Sequence, residues 1–138
     1  MATNQDTPAR LAHAMVRVLD ADRSLAFYET AFGLRPVDRL VFDDFTLIYL
    51  RNDATAFELE LTVNHGRTEP YALGDGYGHL AVVVADPDAE RARLDAAGLS
   101  PGPVRALEHG GAPLARFFFI QDPDGYKIEV IEKAGRFA

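Results

Sequence analysis

From Leu11 to Leu19 (LAHAMVRVL) apolar and polar positions alternate with period two, which predicts a strand. Its even positions, Ala12, Ala14, Val16 and Val18, make a small apolar face suited to packing under a helix, and His13, Met15 and Arg17 share the other face. The period then lengthens. Asp20 or Asp22 can cap a helix running to about Phe32, with Leu25, Ala26, Tyr28 and Phe32 near helical spacing and Gly33 as its stop. Strands are predicted over Arg35 to Phe42, Phe45 to Leu50 and Ala56 to Asn64, giving the order β-α-β-β-β. After the polar, turn-rich stretch Arg67 to Gly76 the pattern starts again. GHLAVVVADPDAERARLDAAGL parallels AHAMVRVLDADRSLAFYETAFGL as strand, Asp-containing turn, helix and terminal Gly-Leu. Strands near Val104 to Leu107, at Leu114 to Gln121 and at Tyr126 to Glu132 complete the second round. The last two form a hairpin through Asp122-Pro123-Asp124-Gly125, where Pro presets φ and Gly takes the left-handed position.

This is an internal repeat with a period of about 66 residues, longer than solenoid repeats and suited to two paired modules. The expected organisation is an extended or disordered tail over 1–10, a first module over 11–66, a linker over 67–76, a second module over 77–133 and a short tail over 134–138. The expected fold class is α+β, with paired βαβββ modules whose mixed sheets form a cavity. Each sheet alone is small and needs cover.

Composition narrows the chemistry. A chain of 138 residues can bury about two thirds of its unfolded surface and needs no staple. With no cysteine, any metal must be held by His, Asp or Glu. The formal net charge of -7 and the scattered basic residues argue against nucleic acid or anionic membrane as partner and for a small-molecule substrate. The opening MATNQDTPAR carries no signal-type apolar segment, and no run of 18 apolar residues occurs, so a cytoplasmic protein is expected.

One acidic residue, Glu129, sits between Ile128 and Val130 in the last strand. A lone strand carboxylate is ordinarily a solvated one. The repeat, however, superimposes LEL around Glu60 on IEV around Glu129, and His13 on His79, each at the third position of its first strand. Both modules then supply an imidazole from the first strand and a carboxylate from the last. Two nitrogens and two anionic oxygens suit a divalent first-row metal with positions left for water or substrate. His65 and His109 fall in polar loops, and Glu58 shares the face of Glu60.

HAMVRV with SLAFY, ELTVNHG, YALGDGYGHLAV and DPDGYKIEVIE together make the chain resemble the vicinal oxygen chelate superfamily, most closely the glyoxalase I family, over about Leu11 to Lys133. The resemblance implies metal ligands His13, Glu60, His79 and Glu129, with Glu60 preferred to Glu58 because it stands in ELTxN. It implies metal-dependent isomerisation of the methylglyoxal-glutathione hemithioacetal to S-lactoylglutathione, with Glu129 as the first catalytic base and Glu60 as its counterpart. Nickel is favoured as the divalent metal over zinc, cobalt or manganese.

Arg17 shares the face of His13 and Asn64 that of Glu60; in the family such positions contact the γ-glutamyl end of glutathione, the co-substrate. Ala106 to Arg116 (ALEHGGAPLAR) is longer and less basic than the family's glutathione-gripping loop, so His109 or Arg116 would stand in for an expected lysine. A homodimer with active sites shared between chains is expected. The alternatives are an isomerase or epimerase acting on another substrate or thiol, and a metal-free ligand-binding protein of the same fold.

Overall fold

The computed structural model describes residues 7–138. Contacts divide the chain into two units, Met1–Glu69 and Pro70–Ala138. Residues 1–6 of the expected N-terminal tail lie outside the described residues.

The first unit runs β1 (His13–Arg17), α1 (Ala21–Phe32), β2 (Arg35–Val41), β3 (Phe45–Asn52) and β4 (Thr55–Asn64). Its four strands lie in the order β1-β4-β3-β2. β1 pairs with β4 in parallel, and the other pairings are antiparallel. The parallel pair requires a long crossover, which α1 supplies. Asp20 caps α1 by accepting from the Arg23 amide at 3.0 Å. Gly33 closes the helix at φ 63°, a left-handed conformation that an L side chain adopts only at a cost. The buried stripe of α1 is Ser24, Phe27, Tyr28 and Ala31. Of the four expected positions only Tyr28 belongs to it. Helical geometry carries the i, i+3, i+4, i+7 set 24, 27, 28, 31 to one side, and this turns Ala26 outward.

The second unit repeats the order as β5 (Leu80–Val84), α2 (Pro87–Ala96), β6 (Arg105–His109), β7 (Ala112–Gln121) and β8 (Lys127–Glu132), with strand order β5-β8-β7-β6. β5 and β8 are the parallel pair. Asp86 caps α2 by accepting from the Ala89 amide at 3.2 Å, and Pro87 occupies the first turn, where its missing N–H costs nothing. A 3-10 turn, Gly135–Phe137, follows β8.

In both units one sheet face packs under the helix and the other does not. Val16, Ile48, Leu50, Leu59 and Leu61 with Phe27, Tyr28 and Ala31 make the first core; Ile120, Phe118, Ile128 and Val130 with Leu94 make the second. Because side chains alternate, burying Leu59 and Leu61 obliges Glu58, Glu60 and Thr62 to project from the opposite face, and burying Ile128 and Val130 does the same to Glu129. A one-residue slip would drive these carboxylates into the apolar core. The hydrophobic residues thus set the register of the polar ones.

Leu61→Ala, which truncates a fully buried side chain beside Glu60, is expected to lower the free energy of unfolding by about 2–5 kcal/mol. Val83→Ala, at a site 49% exposed, should cost less than about 1 kcal/mol. Urea denaturation of the two variants compares them directly.

Candidate metal centre

Strand β4 presents Glu60 at mid-length, opposite Met15 of β1 on one side and Tyr49 of β3 on the other. His13, one pleat from Met15 on the same face, reaches across so that its Nε2 lies 2.7 Å from Glu60 Oε2. Two acceptors at that separation require a proton between them, so Nε2–H donates to the carboxylate. Glu60 is only 7% exposed, a burial that would be costly without partners. Tyr49 stands directly opposite Glu60 on β3. Burial pushes the Tyr49 phenol above its usual value, and the nearby charge of Glu60 pushes it further. The His13 and Tyr49 rings meet edge to face, with centroids 5.7 Å apart at 74°. Glu58 has a different commitment, an ion pair with Arg51 at 3.6 Å.

The second unit repeats this arrangement. The hairpin turn forms as the sequence requires: Gly125 has φ 93°, its amide donates to the Asp122 carbonyl, and buried Asp122 Oδ1 accepts from the amides of Asp124 (2.9 Å) and Tyr126 (3.0 Å). This fixes Phe119 opposite Glu129. His79 Nε2 stands 3.9 Å from Glu129 Oε1, and its ring meets Phe119 at 5.5 Å and 74°. Tyr49 and Phe119 therefore occupy matched places, and only the first carries a hydroxyl.

Neither histidine is third in its strand. His13 is the first residue of β1, and His79 lies just before β5. Strands end where ladder pairing ends, and the first pairs are His13 with Glu58 and Leu80 with Ile128. The alternation in sequence runs beyond both.

Each unit brings together one imidazole and one carboxylate. Among the described residues no group of three or more His, Cys, Asp or Glu capable of holding a metal is formed. The donor chemistry of each pair nevertheless fits a divalent first-row ion: a ring nitrogen and an anionic oxygen in hydrogen-bond or near-contact range, the imidazoles about two-fifths exposed, and no competing sulfur. Glu60 with His13 and Glu129 with His79 are the residues that would hold it.

Arg17 pairs in register with Thr62, and Asn64 with Phe45, which puts both on the Glu60 face toward the far end of the strands. His109 ends β6 beside the Gly110-Gly111 turn and is exposed. Arg116 is not on the Glu129 face. It has the parity of Phe118 and Ile120, on the helix side, where it donates to Asp88 of α2 at 2.8 Å while its amide donates to Glu132 at 3.2 Å. That placement removes it as the stand-in for a substrate-gripping lysine beside Glu129. His65 is no idle loop residue: Nε2 lies 2.8 Å from Thr46 Oγ1 and Nδ1 lies 3.0 Å from the Asp43 carbonyl, fastening the β2–β3 turn to the end of β4. Tyr49 and Phe119 were missed in the sequence. The signal that finds them is cross-strand register, which places an aromatic directly opposite each central glutamate.

Residues 10–130 match the model of the Glyoxalase/Bleomycin resistance protein/Dioxygenase superfamily. A lactoylglutathione lyase of Neisseria meningitidis is 39% identical over 134 residues, which cover 90% of this chain and 91% of that one. Among solved structures, the trypanothione-dependent glyoxalase I of Leishmania major superimposes with a TM-score of 0.73 at 32% identity, covering 91% of this chain and 87% of that one. Glyoxalase I from Zea mays gives a TM-score of 0.74 at 33% identity, covering 91% of this chain but 45% of the longer maize chain.

The Arg116–Asp88 pair generates a pH prediction. The hydrogen bond from Arg116 holds the Asp88 carboxyl below the usual carboxylate range. A depressed folded value means that the stabilisation is present above the unfolded value and is lost as pH falls through the folded one. Arg116→Ala should therefore lower the melting temperature slightly at neutral pH, with the difference from the native protein closing in acid below the carboxylate range. Its divalent-metal affinity should match that of the native protein, as measured by calorimetric titration.

Proposed function

Because the chain belongs to the Glyoxalase/Bleomycin resistance protein/Dioxygenase superfamily, we infer that it is a metal-dependent glyoxalase I, isomerising the methylglyoxal-glutathione hemithioacetal to S-lactoylglutathione. The observation that carries this reading is the pair of imidazole–carboxylate contacts, His13 with Glu60 and His79 with Glu129, at matched places in two βαβββ units. Relatives that carry the lactoylglutathione lyase name support it at 37–39% identity over about nine tenths of the chain.

The reaction moves hydrogen between adjacent carbons. A base must remove the proton from the hemithioacetal carbon, next to a carbonyl, and return it to the former carbonyl carbon, leaving a thioester and a new alcohol. A divalent metal, when bound, supplies Lewis-acid stabilisation of the developing enediolate charge without any change of redox state. Glu129 takes the proton and returns it; Glu60 is its counterpart for the opposite stereoisomer. General-base catalysis of this kind contributes about 10²–10⁴-fold. Phe119 and Phe117, with ring centroids 5.6 Å apart beside Glu129, give that carboxylate an apolar flank. Arg17 and Asn64 hold the γ-glutamyl end of the thiol. Nickel is the favoured ion. The working unit is a cytoplasmic homodimer in which His13 and Glu60 of one chain share a site with His79 and Glu129 of its partner.

One observation favours a second thiol over glutathione. The 106–116 segment is a β6–β7 hairpin whose Arg116 is engaged by Asp88 and whose remaining candidate is the exposed His109, so no lysine grips a glycyl carboxylate there.

Three measurements test the reading. Native protein should bind one divalent ion per chain, and His79→Ala or Glu129→Gln should abolish stoichiometric binding; full occupancy in both would sink the ligand set. Metal-loaded protein should convert methylglyoxal and glutathione to S-lactoylglutathione, and His79→Ala, which cannot hold the ion stoichiometrically, should give no product above background. Metal binding with no product from glutathione or any other thiol would remove the activity. Mixing inactive His13→Ala and His79→Ala chains should restore partial activity, since a heterodimer regains one intact site; no recovery after confirmed subunit exchange would refute sharing between chains.

A further inference from the structure

A cavity of about 450 Å³ opens on the Glu60 face of the first sheet, lined by Val37, Asp38, Leu40, Tyr49, Arg51 and Glu58. That volume falls within the roughly 300–1,000 Å³ of small-molecule pockets. The cavity adjoins the candidate centre, because Tyr49 stands opposite Glu60 with its ring 5.7 Å from that of His13, and Glu58 is the register partner of His13. It lies on the far side of Glu60 from Arg17 and Asn64, since Glu58 precedes Glu60 along β4 while Thr62, the partner of Arg17, and Asn64 follow it. Its lining is not that of an apolar slot. Arg51 approaches Glu58 at 3.6 Å, too long for a hydrogen bond, so this contact leaves the guanidinium N–H donors unspent. Asp38 spends Oδ1 on the Arg39 amide at 2.8 Å and keeps Oδ2. Val37 and Leu40, 47% and 40% exposed, set apolar surface beside these charges.

Resting on the hemithioacetal reading above, we propose that this cavity receives the side chain of the 2-oxoaldehyde and selects side chains that carry hydroxyl groups. In the hemithioacetal the sulfur and the aldehyde's side chain leave opposite ends of the two-carbon unit that reacts. With the thiol directed toward Arg17 and Asn64, the side chain points past Glu60 toward Glu58 and Arg51. The methyl group of methylglyoxal would leave most of the cavity unfilled. The charges decide what fills it. A phenyl group would strip water from a guanidinium and two carboxylates and return no hydrogen bonds. A carboxylate would meet Asp38 and Glu58, and an ammonium would meet Arg51. A hydroxyl both donates and accepts, so neighbouring hydroxyls donate to Asp38 and Glu58, accept from Arg51 and bring no net charge. The carbon chain that bears them packs on Val37, Leu40 and the Tyr49 ring. Arg51 and Asp38 are thus specificity-determining residues, acting on the tail of the substrate and not on the proton transfer.

The test compares substrates. On metal-loaded protein, kcat/KM is measured for the glutathione hemithioacetals of methylglyoxal, phenylglyoxal and 3-deoxyglucosone, whose side chain carries hydroxyls on adjacent carbons. Native protein should favour 3-deoxyglucosone over phenylglyoxal by about tenfold or more. Arg51→Met and the isosteric Asp38→Asn should each lower the ratio of kcat/KM for 3-deoxyglucosone to that for methylglyoxal by about tenfold or more, as the loss of a hydrogen bond to a charged group requires. A merely structural effect would move both substrates together and leave the ratio alone. Calorimetric titration with the product thioesters of 3-deoxyglucosone and phenylglyoxal makes the same comparison without turnover. A native preference for phenylglyoxal, or ratios within twofold of native in both variants, would overturn the proposal. If methylglyoxal is not turned over, the proposed activity fails, and the thioester affinities still decide the cavity: tighter binding of the hydroxylated thioester supports it and equal or weaker binding overturns it.

Discussion

Everything at the candidate centre depends on carboxylates held on the open face of a sheet by the burial of their neighbours. Glu60 projects where it does because Leu59 and Leu61 are in the core, and Glu129 because Ile128 and Val130 are. Apolar burial at about 25 cal/mol per Å² makes the register effectively fixed. A nearly buried carboxylate is costly by several kcal/mol if unpartnered. His13 offsets that cost for Glu60, and a divalent ion would do so more fully for both glutamates. The features that position the proposed ligands are thus the features that would make the metal-free state the less comfortable one.

The helices serve the same end at one remove. Asp20 and Asp86 start them, and Gly33 stops the first with a left-handed residue. The crossovers they form make β1 parallel to β4 and β5 parallel to β8, so the strand that brings each histidine runs beside the strand that brings its glutamate. A sheet of consecutive hairpins would place these strands differently. The βαβββ order is therefore what turns residues distant in sequence, His13 and Glu60 or His79 and Glu129, into neighbours.

Much of this was legible in the chain because it is local or repeated. Period-two alternation and DPDG gave the strands and the hairpin, Asp and Gly gave the helix ends, and the repeat aligned the two histidines with each other and the two glutamates with each other. What escaped is what depends on register or on which face is covered. Tyr49 and Phe119 are unremarkable aromatics until the ladder sets them opposite Glu60 and Glu129. Arg116 read as a stand-in for a substrate-gripping lysine, but it lies on the helix side of β7, where Asp88 takes it. His65 read as a surface group, yet Thr46 and the Asp43 carbonyl hold both of its nitrogens. On α1 the stripe of largest apolar residues differs from the stripe that geometry buries, since Ser24 and Ala31 are small and Ala26 points away.

The proposed centre draws His13 and Glu60 of one chain and His79 and Glu129 of its partner onto one divalent ion. X-ray absorption spectroscopy of the nickel-loaded protein measures this most directly. Two histidine imidazoles in the coordination shell, with oxygen donors making up the remainder and no sulfur, is the predicted result. A shell with one imidazole or none would contradict the account.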